Sequence, residues 1–137
     1  MSSSANVFTY GTLQLPSVMQ SVTGCNLKSV AATLAGYQRF KFKDKTYPGI
    51  IENKACFVEG MLYQDLDEQT LSLLDHFESV LYERCLLNVV VNQMESEKAF
   101  AYVVKDEYRS LLSEEEWDLG EFKRKHLKLY LRDISEF

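Results

Sequence analysis

Leu71, Leu74 and Glu78 follow one another in steps of three and four, so on a helix they share one face. Two leucines make that face the buried one, which puts a carboxylate in phase with the core. A buried carboxylate is costly unless it is paired or neutral. Burial raises its pKa and makes it a candidate general acid or base near neutral pH. The structural alternative is an ion pair with Arg84 or Arg39. A second feature is Tyr10-Gly11-Thr12-Leu13-Gln14. A strand that runs into a glycine can present successive backbone N–H groups to an anion, with the Thr12 hydroxyl beside them. The alternative there is a plain strand-end turn, and no phosphate-loop motif G-x-x-x-x-G-K-[ST] is present.

Other reactive residue types carry less. Cys25, Cys56 and Cys85 are odd in number and show no C-x-x-C spacing, so they make neither a disulfide framework nor a zinc knuckle. Cys25 and Cys85 lack a histidine neighbour in sequence and read as small core residues. His76 and His126 are the only histidines, which leaves little material for a metal site. His76 reads as a surface or capping residue. Lys123-Arg124-Lys125-His126, with Lys128 and Arg132, falls near the end of a predicted helix that starts with Glu114, Glu115, Glu116 and Asp118. A solvated face matched to the helix dipole explains that run. The eight tyrosines and eight phenylalanines fall mostly on strand positions and read as core.

These residues need elements to hold them. Val7 to Tyr10 is a short buried strand ended by Gly11, and Ser17 to Val22 is a short helix capped by Ser17 and stopped by Gly24. Ala32 to Lys43 alternates like a strand and leads to a hairpin tip at Asp44-Lys45 and a turn at Tyr47-Pro48-Gly49. Ile50-Ile51 follows, and Ala55 to Tyr63 is a further strand in which Gly60 marks a bulge or a close backbone approach. Asp67 caps a helix running to Glu78. Leu81 to Asn92 and Phe100 to Lys105 are strands joined by a polar tip, Gln93 to Glu97. Ser113 with Glu116 forms a capping-box pattern that opens a C-terminal helix carrying Trp117, Phe122, Leu127, Tyr130 and Ile134 on its apolar face. The sum is one α+β domain over residues 1–137, with 1–5 flexible and a curled or closed sheet.

Composition agrees with that size and class. The chain has 137 residues, 46% hydrophobic and 26% charged, which suits one globular domain and excludes disorder or a fibrous repeat. A net charge of -5 disfavours nucleic acid as the partner, and no apolar run is long enough for a membrane span. The first residues, Met1-Ser-Ser-Ser-Ala-Asn6, do not resemble a signal peptide, so a cytoplasmic location is expected.

Several segments, taken in order, resemble one family. Val7-Phe-Thr-Tyr-Gly-Thr-Leu13 is similar to the Tyr-Gly-(Ser/Thr)-Leu signature of the γ-glutamylcyclotransferase-like superfamily. Pro16, Ala32-Thr-Leu-Ala-Gly-Tyr-Gln-Arg-Phe40, Tyr47-Pro-Gly-Ile50, Val58-Glu-Gly-Met-Leu-Tyr63 and Leu74-Asp-His-Phe-Glu-Ser-Val-Leu-Tyr-Glu-Arg84 resemble its later segments. The spacing, with Trp117-Asp118 near the tail, is most like the small branch of avirulence-induced plant proteins. At Ser79 the family usually has Gly, a difference expected to act on the local turn.

The resemblance implies a small curled mixed β-barrel with flanking helices and a C-terminal helix. It implies a γ-glutamyl substrate bound by Tyr10, Gly11, Thr12, Leu13 and Gln14, with Glu78 as acid/base and no metal or organic cofactor. The implied products are 5-oxoproline and a free amine, amino acid or peptide. The alternative is a barrel that binds a small carboxylated metabolite without turning it over. No nucleic-acid or membrane partner is implied.

Overall fold

The computed structural model describes residues 4–92 and 95–135. Among these, five strands close into a barrel in the order β1-β3-β2-β4-β5: β1 Ala5–Thr9, β2 Ser29–Lys41, β3 Pro48–Leu66, β4 Tyr82–Val91 and β5 Glu95–Val104. Neighbours are antiparallel except where the ring closes, where β1 lies parallel to β5 with Val7 opposite Phe100. Parallel neighbours need a long crossover, and the whole intervening chain supplies it. The sheet is therefore mixed and curled, as expected. Of the flexible stretch expected at the start, residues 1–3 lie outside the described residues, and Ala5 already pairs with Leu66.

The β2–β3 hairpin carries the barrel. Its tip is at Asp44-Lys45, where Phe42 N donates to the Tyr47 carbonyl and Asp44 takes a φ of 59°. Two separate strands are expected after this tip, but β3 runs unbroken. The register shifts between Ala35 and Tyr37, and Gly36 takes up the shift with a φ of 84°. Asn53 bridges the same level, donating to Gln38 Oε1 and accepting from Ala55 N. The bulge bends the strand without ending it. Gly60 is a close-approach position: a Cβ there would run into the Thr9 carbonyl and the Phe8 ring.

The helices pack on the strand face that carries Val7, Tyr63, Tyr102 and Val104, which alternate with the barrel-filling Phe8, Leu62 and Ala101. They are α1 Pro16–Thr23, α2 Glu68–Glu78, α3 Leu119–Lys125 and α4 Leu127–Ser135. Pro16, not a Ser17 cap, opens α1, since proline's fixed φ suits the first helical position. Gly24 ends it in the left-handed conformation. Asp67 caps α2 as its side chain accepts from Thr70 N at 2.8 Å.

The C-terminal helix starts later than its sequence pattern indicates. Ser113 Oγ donates to the Lys41 carbonyl instead of capping a helix, and Trp117 Nε1 donates to the Thr46 carbonyl. Those two anchors hold 113–118 against the hairpin, and Asp118 caps α3 by accepting from Gly120 N. The helix then breaks at His126 before α4. No helix of the described residues is long and apolar enough to cross a membrane.

Val7, Leu13, Met19, Tyr63, Leu74, Trp117 and Phe122 form the core between barrel and helices. Phe8, Leu34, Ile50, Leu62 and Val89 fill the barrel itself.

Candidate active site

Glu78 is the last residue of α2, one turn beyond the fully buried Leu74. The leucines seat the helix on the core, and the next position on that face opens into a cavity of about 540 Å³. Among the described residues no hydrogen bond or ion pair reaches the Glu78 carboxyl. The two arginines that could have neutralised it are engaged elsewhere. Arg84 pairs with Asp75 at 2.9 Å, and Arg39 donates to the Tyr10 carbonyl at 2.7 Å. The residue is half-buried as a whole, and desolvation of its carboxyl pushes the pKa up to about 8. With no cation beside it, the group relieves the cost of burial by holding its proton.

The facing wall is the loop that follows β1. Tyr10 is buried and its hydroxyl donates to the Tyr102 carbonyl at 2.6 Å. Gly11 packs so closely on Pro48 that a Cβ would lie 2.9 Å from Pro48 Cγ. A tight turn over Thr12–Gln14 is closed by Gln14 N donating to the Gly11 carbonyl at 3.1 Å. Tyr63 secures it from beneath, its hydroxyl donating to the Leu13 carbonyl at 3.0 Å. As at any helical start, the leading N–H groups of this turn have no acceptor within it.

Tyr10, Gly11, Thr12, Leu13 and Glu78 thus border one cavity. Gln14 does not. Its side-chain amide folds back to donate to the Gly11 carbonyl at 3.2 Å, and the residue borders a different groove. The physical reason is the turn itself, which rotates position 14 away from positions 12 and 13.

Four further tyrosines, 47, 82, 102 and 130, line the cavity together with Phe77. Tyr82 donates to the Pro48 carbonyl at 2.7 Å and Tyr102 to Asp75 Oδ1 at 2.7 Å. Tyr130, from α4, shares a hydrogen bond of 3.1 Å with Thr12 Oγ1. Burial raises the pKa of all five phenols, Tyr10 included, and the negative charge of Glu78 adds to the shift in each. They stay protonated and able to donate. Reading the tyrosines as plain core missed this wall. The signal was the choice of Tyr over Phe, since a buried phenol must find a partner.

The other reactive types lie apart from the cavity. The three cysteines are free and half-buried, and His76 is exposed. Among the described residues no three His, Cys, Asp or Glu side chains gather as a metal ion would need. A second groove, of about 1030 Å³, is bordered by Arg39, Glu59, Glu116, Trp117, Asp118 and Glu121.

Comparison with known proteins gives the family. The model of the family described as "Gamma-glutamyl cyclotransferase, AIG2-like" matches residues 7–119. AIG2-like protein D of Arabidopsis thaliana is 31% identical over 136 residues, covering 96% of this chain and 88% of that protein. Protein AIG2 A of the same plant is 28% identical over 136 residues, covering 99% and 80%. The solution structure of an Arabidopsis thaliana protein superposes with a TM-score of 0.73 at 30% identity, covering 98% of this chain and 81% of the other. A structure described as gamma-glutamyl cyclotransferase gives a TM-score of 0.63 at 13% identity over 96% of this chain and 86% of its own, a likeness of fold. The chain belongs to the AIG2-like gamma-glutamyl cyclotransferase family.

Proposed function

We propose that this protein releases 5-oxoproline and a free amine from a γ-glutamyl amine, amino acid or peptide. The observation that carries this reading is the Glu78 carboxyl: unpartnered, desolvated, shifted to a pKa of about 8 and facing the Gly11 loop across a cavity. A γ-glutamyl compound holds its own nucleophile, the α-amine, in reach of a five-membered ring closure. Intramolecular attack of this kind supplies effective molarities of about 10⁵–10⁸ M when the geometry is right.

The protein's task is to position that attack and move protons. Glu78 as carboxylate takes a proton from the α-ammonium, and the nitrogen then attacks the γ-carbonyl carbon. As the γ-amide C–N bond breaks, Glu78 as acid returns that proton to the departing nitrogen, and the second proton shed by the ring nitrogen goes to the released amine, which leaves as ammonium. Raised to about 8, the Glu78 carboxyl is a far closer match to an α-ammonium than an ordinary carboxylate is, so the proton transfer between them costs less free energy. The N–H groups and hydroxyl of Gly11, Thr12 and Leu13 are suited to hold the α-carboxylate or the developing oxyanion. None of these steps requires a metal or an organic cofactor.

The test is 5-oxoproline release from a panel of γ-glutamyl compounds, with wild type and Glu78→Gln side by side. Glutamine keeps the shape and loses the proton transfer, so turnover should fall by about 10²–10⁴-fold while the fold persists. Full activity in Glu78→Gln would refute the assignment. Binding of a γ-glutamyl compound without turnover by wild type would favour the non-catalytic barrel.

A further inference from the structure

The family match ends at residue 119, yet one wall of the cavity comes from α4, beyond it. Tyr130 on this helix is held on three sides. Its ring meets Phe77 edge-on at 6.5 Å and Phe122 edge-on at 5.2 Å, and its oxygen lies 3.1 Å from Thr12 Oγ1. Phe77 adjoins Glu78 in sequence and Thr12 belongs to the facing loop. Tyr130 therefore spans from the Glu78 wall to the Gly11 wall.

The hydrogen bond to Thr12 uses one proton of the two that these hydroxyls own. If Thr12 donates, the phenol proton is left over; if Tyr130 donates, the threonine proton is left over. Among the described residues neither hydroxyl has a further partner, so one donor in this pair remains for whatever fills the cavity. The phenol's raised pKa keeps that donor in place across the working pH range. Two hydroxyls joined in this way also polarise each other, which strengthens the outward bond.

From this geometry we infer that Tyr130 and Thr12 act as a paired hydroxyl that binds an acceptor oxygen of the substrate's γ-glutamyl head, making α4 part of the binding site. The inference rests on the proposed substrate class. Tyr130 is then a substrate-contacting residue, and its contribution lies in the last proton of the pair rather than in the aromatic ring.

Tyr130→Phe isolates that contribution, because it keeps both ring contacts and removes only the hydroxyl. Wild type, Tyr130→Phe, Thr12→Val and the double variant should be compared in kcat, KM, 5-oxoproline affinity by calorimetry, and melting temperature. We expect each single variant to lose about 10- to 100-fold in kcat/KM and the double variant to lose little more than either single one, because the pair acts as a unit. A variant that is merely less well folded would melt earlier and show a smaller active fraction with KM unchanged.

Unchanged kcat, KM and product affinity in Tyr130→Phe would overturn the inference while leaving the reaction standing. If wild type bound 5-oxoproline without turnover, the reaction would fail, and weaker binding by Tyr130→Phe would still uphold the hydroxyl pair. Absence of both turnover and binding in wild type would overturn the two together.

Discussion

Two concave surfaces lie on either side of the Leu13–Gln14 step, and, phenols aside, each holds one ionisable side chain taken largely out of water. In the tyrosine-lined cavity that side chain is Glu78, whose carboxyl makes no ion pair among the described residues, although Lys45 borders the same cavity. In the second groove it is Arg39, whose Nη1 is engaged by backbone carbonyls. Its Nη1 donates to the carbonyls of Tyr10 and Glu59, and its guanidinium lies over the Trp117 ring at 5.5 Å. Burial lowers the Arg39 pKa, and Glu116 above all, then Tyr10, Asp118 and Glu59, offset only part of that shift. Only its Nε, buried and without a hydrogen-bond partner, shows the cost of the position. The contrast separates two uses of a desolvated charge. A charge surrounded by acceptors stays charged and fixes backbone, whereas one left alone becomes neutral near pH 8 and is free to exchange a proton.

The largest effect that could break this contrast is the pH dependence of stability. The folded pKa of Glu78, about 8, lies above the ordinary 4.5, so between those values the native state holds a proton that the unfolded state has lost. Stability from this group is complete below pH 4.5 and declines as pH rises to about 8. The slope approaches about 1.4 kcal/mol per pH unit, so the whole window is worth on the order of 4 kcal/mol. Glu78→Gln lacks that slope. Denaturant midpoints at pH 5 and pH 8.5 should show wild type losing several kcal/mol relative to the variant. Parallel curves for the two proteins would mean that the carboxyl is hydrated.

Arg39→Met should do the reverse of Glu78→Gln. It leaves the Tyr10 carbonyl without its donor and should cost about 1–3 kcal/mol of stability. Activity per folded molecule should fall less than about tenfold, because the chemistry stays with Glu78. Chemical denaturation paired with active-site titration checks both parts. A stability unchanged from wild type, or a loss of turnover as deep as that of Glu78→Gln, would erase the distinction between the two charges.

The smallest effect concerns Ser79, directly after Glu78. Its φ of 71° with ψ of -163° is a conformation that belongs almost entirely to glycine. The strain is tolerated because Ser79 N donates to the Asp75 carbonyl and closes α2 just as the chain turns into the barrel. Ser79→Gly should raise stability by roughly 1 kcal/mol, the relief of strain exceeding the entropy that glycine brings to the unfolded chain. A denaturation midpoint at or below that of wild type would remove strain as the explanation. A glycine at this position would thus be a matter of backbone geometry at the end of the helix that presents Glu78.

What was legible in the sequence was local. Asp67 three residues before Thr70, the leucine spacing that carries Glu78, and Gly11 after a short apolar strand each act within a few residues, and each stands where expected. Partners distant in the chain were not legible. Ser113 has every local attribute of a helix cap, but the Lys41 carbonyl, far back in sequence, takes its hydroxyl and the helix starts only after Asp118. Ile50 and Ala55 lie on one strand because Asn53 finds Gln38 on the neighbouring one. The tyrosine wall is the same case. Tyr47 comes from the β2–β3 connection and Tyr82, Tyr102 and Tyr130 from β4, β5 and α4, and only the closed barrel with α4 laid across it makes them neighbours.

The closure of that barrel also sets an order of assembly. β1 has two neighbours, β3 and β5, and the second reaches it only after the rest of the sheet has been threaded between them. Pairing of this kind spans long stretches of chain, and such contacts form late because the entropy of closing a large loop opposes them. The Gly11 loop hangs from the free end of β1, so one half of the cavity takes its final place only when the ring is sealed. A chain that has not yet delivered β5 has α2 and Glu78 in hand but lacks a fixed surface for them to face.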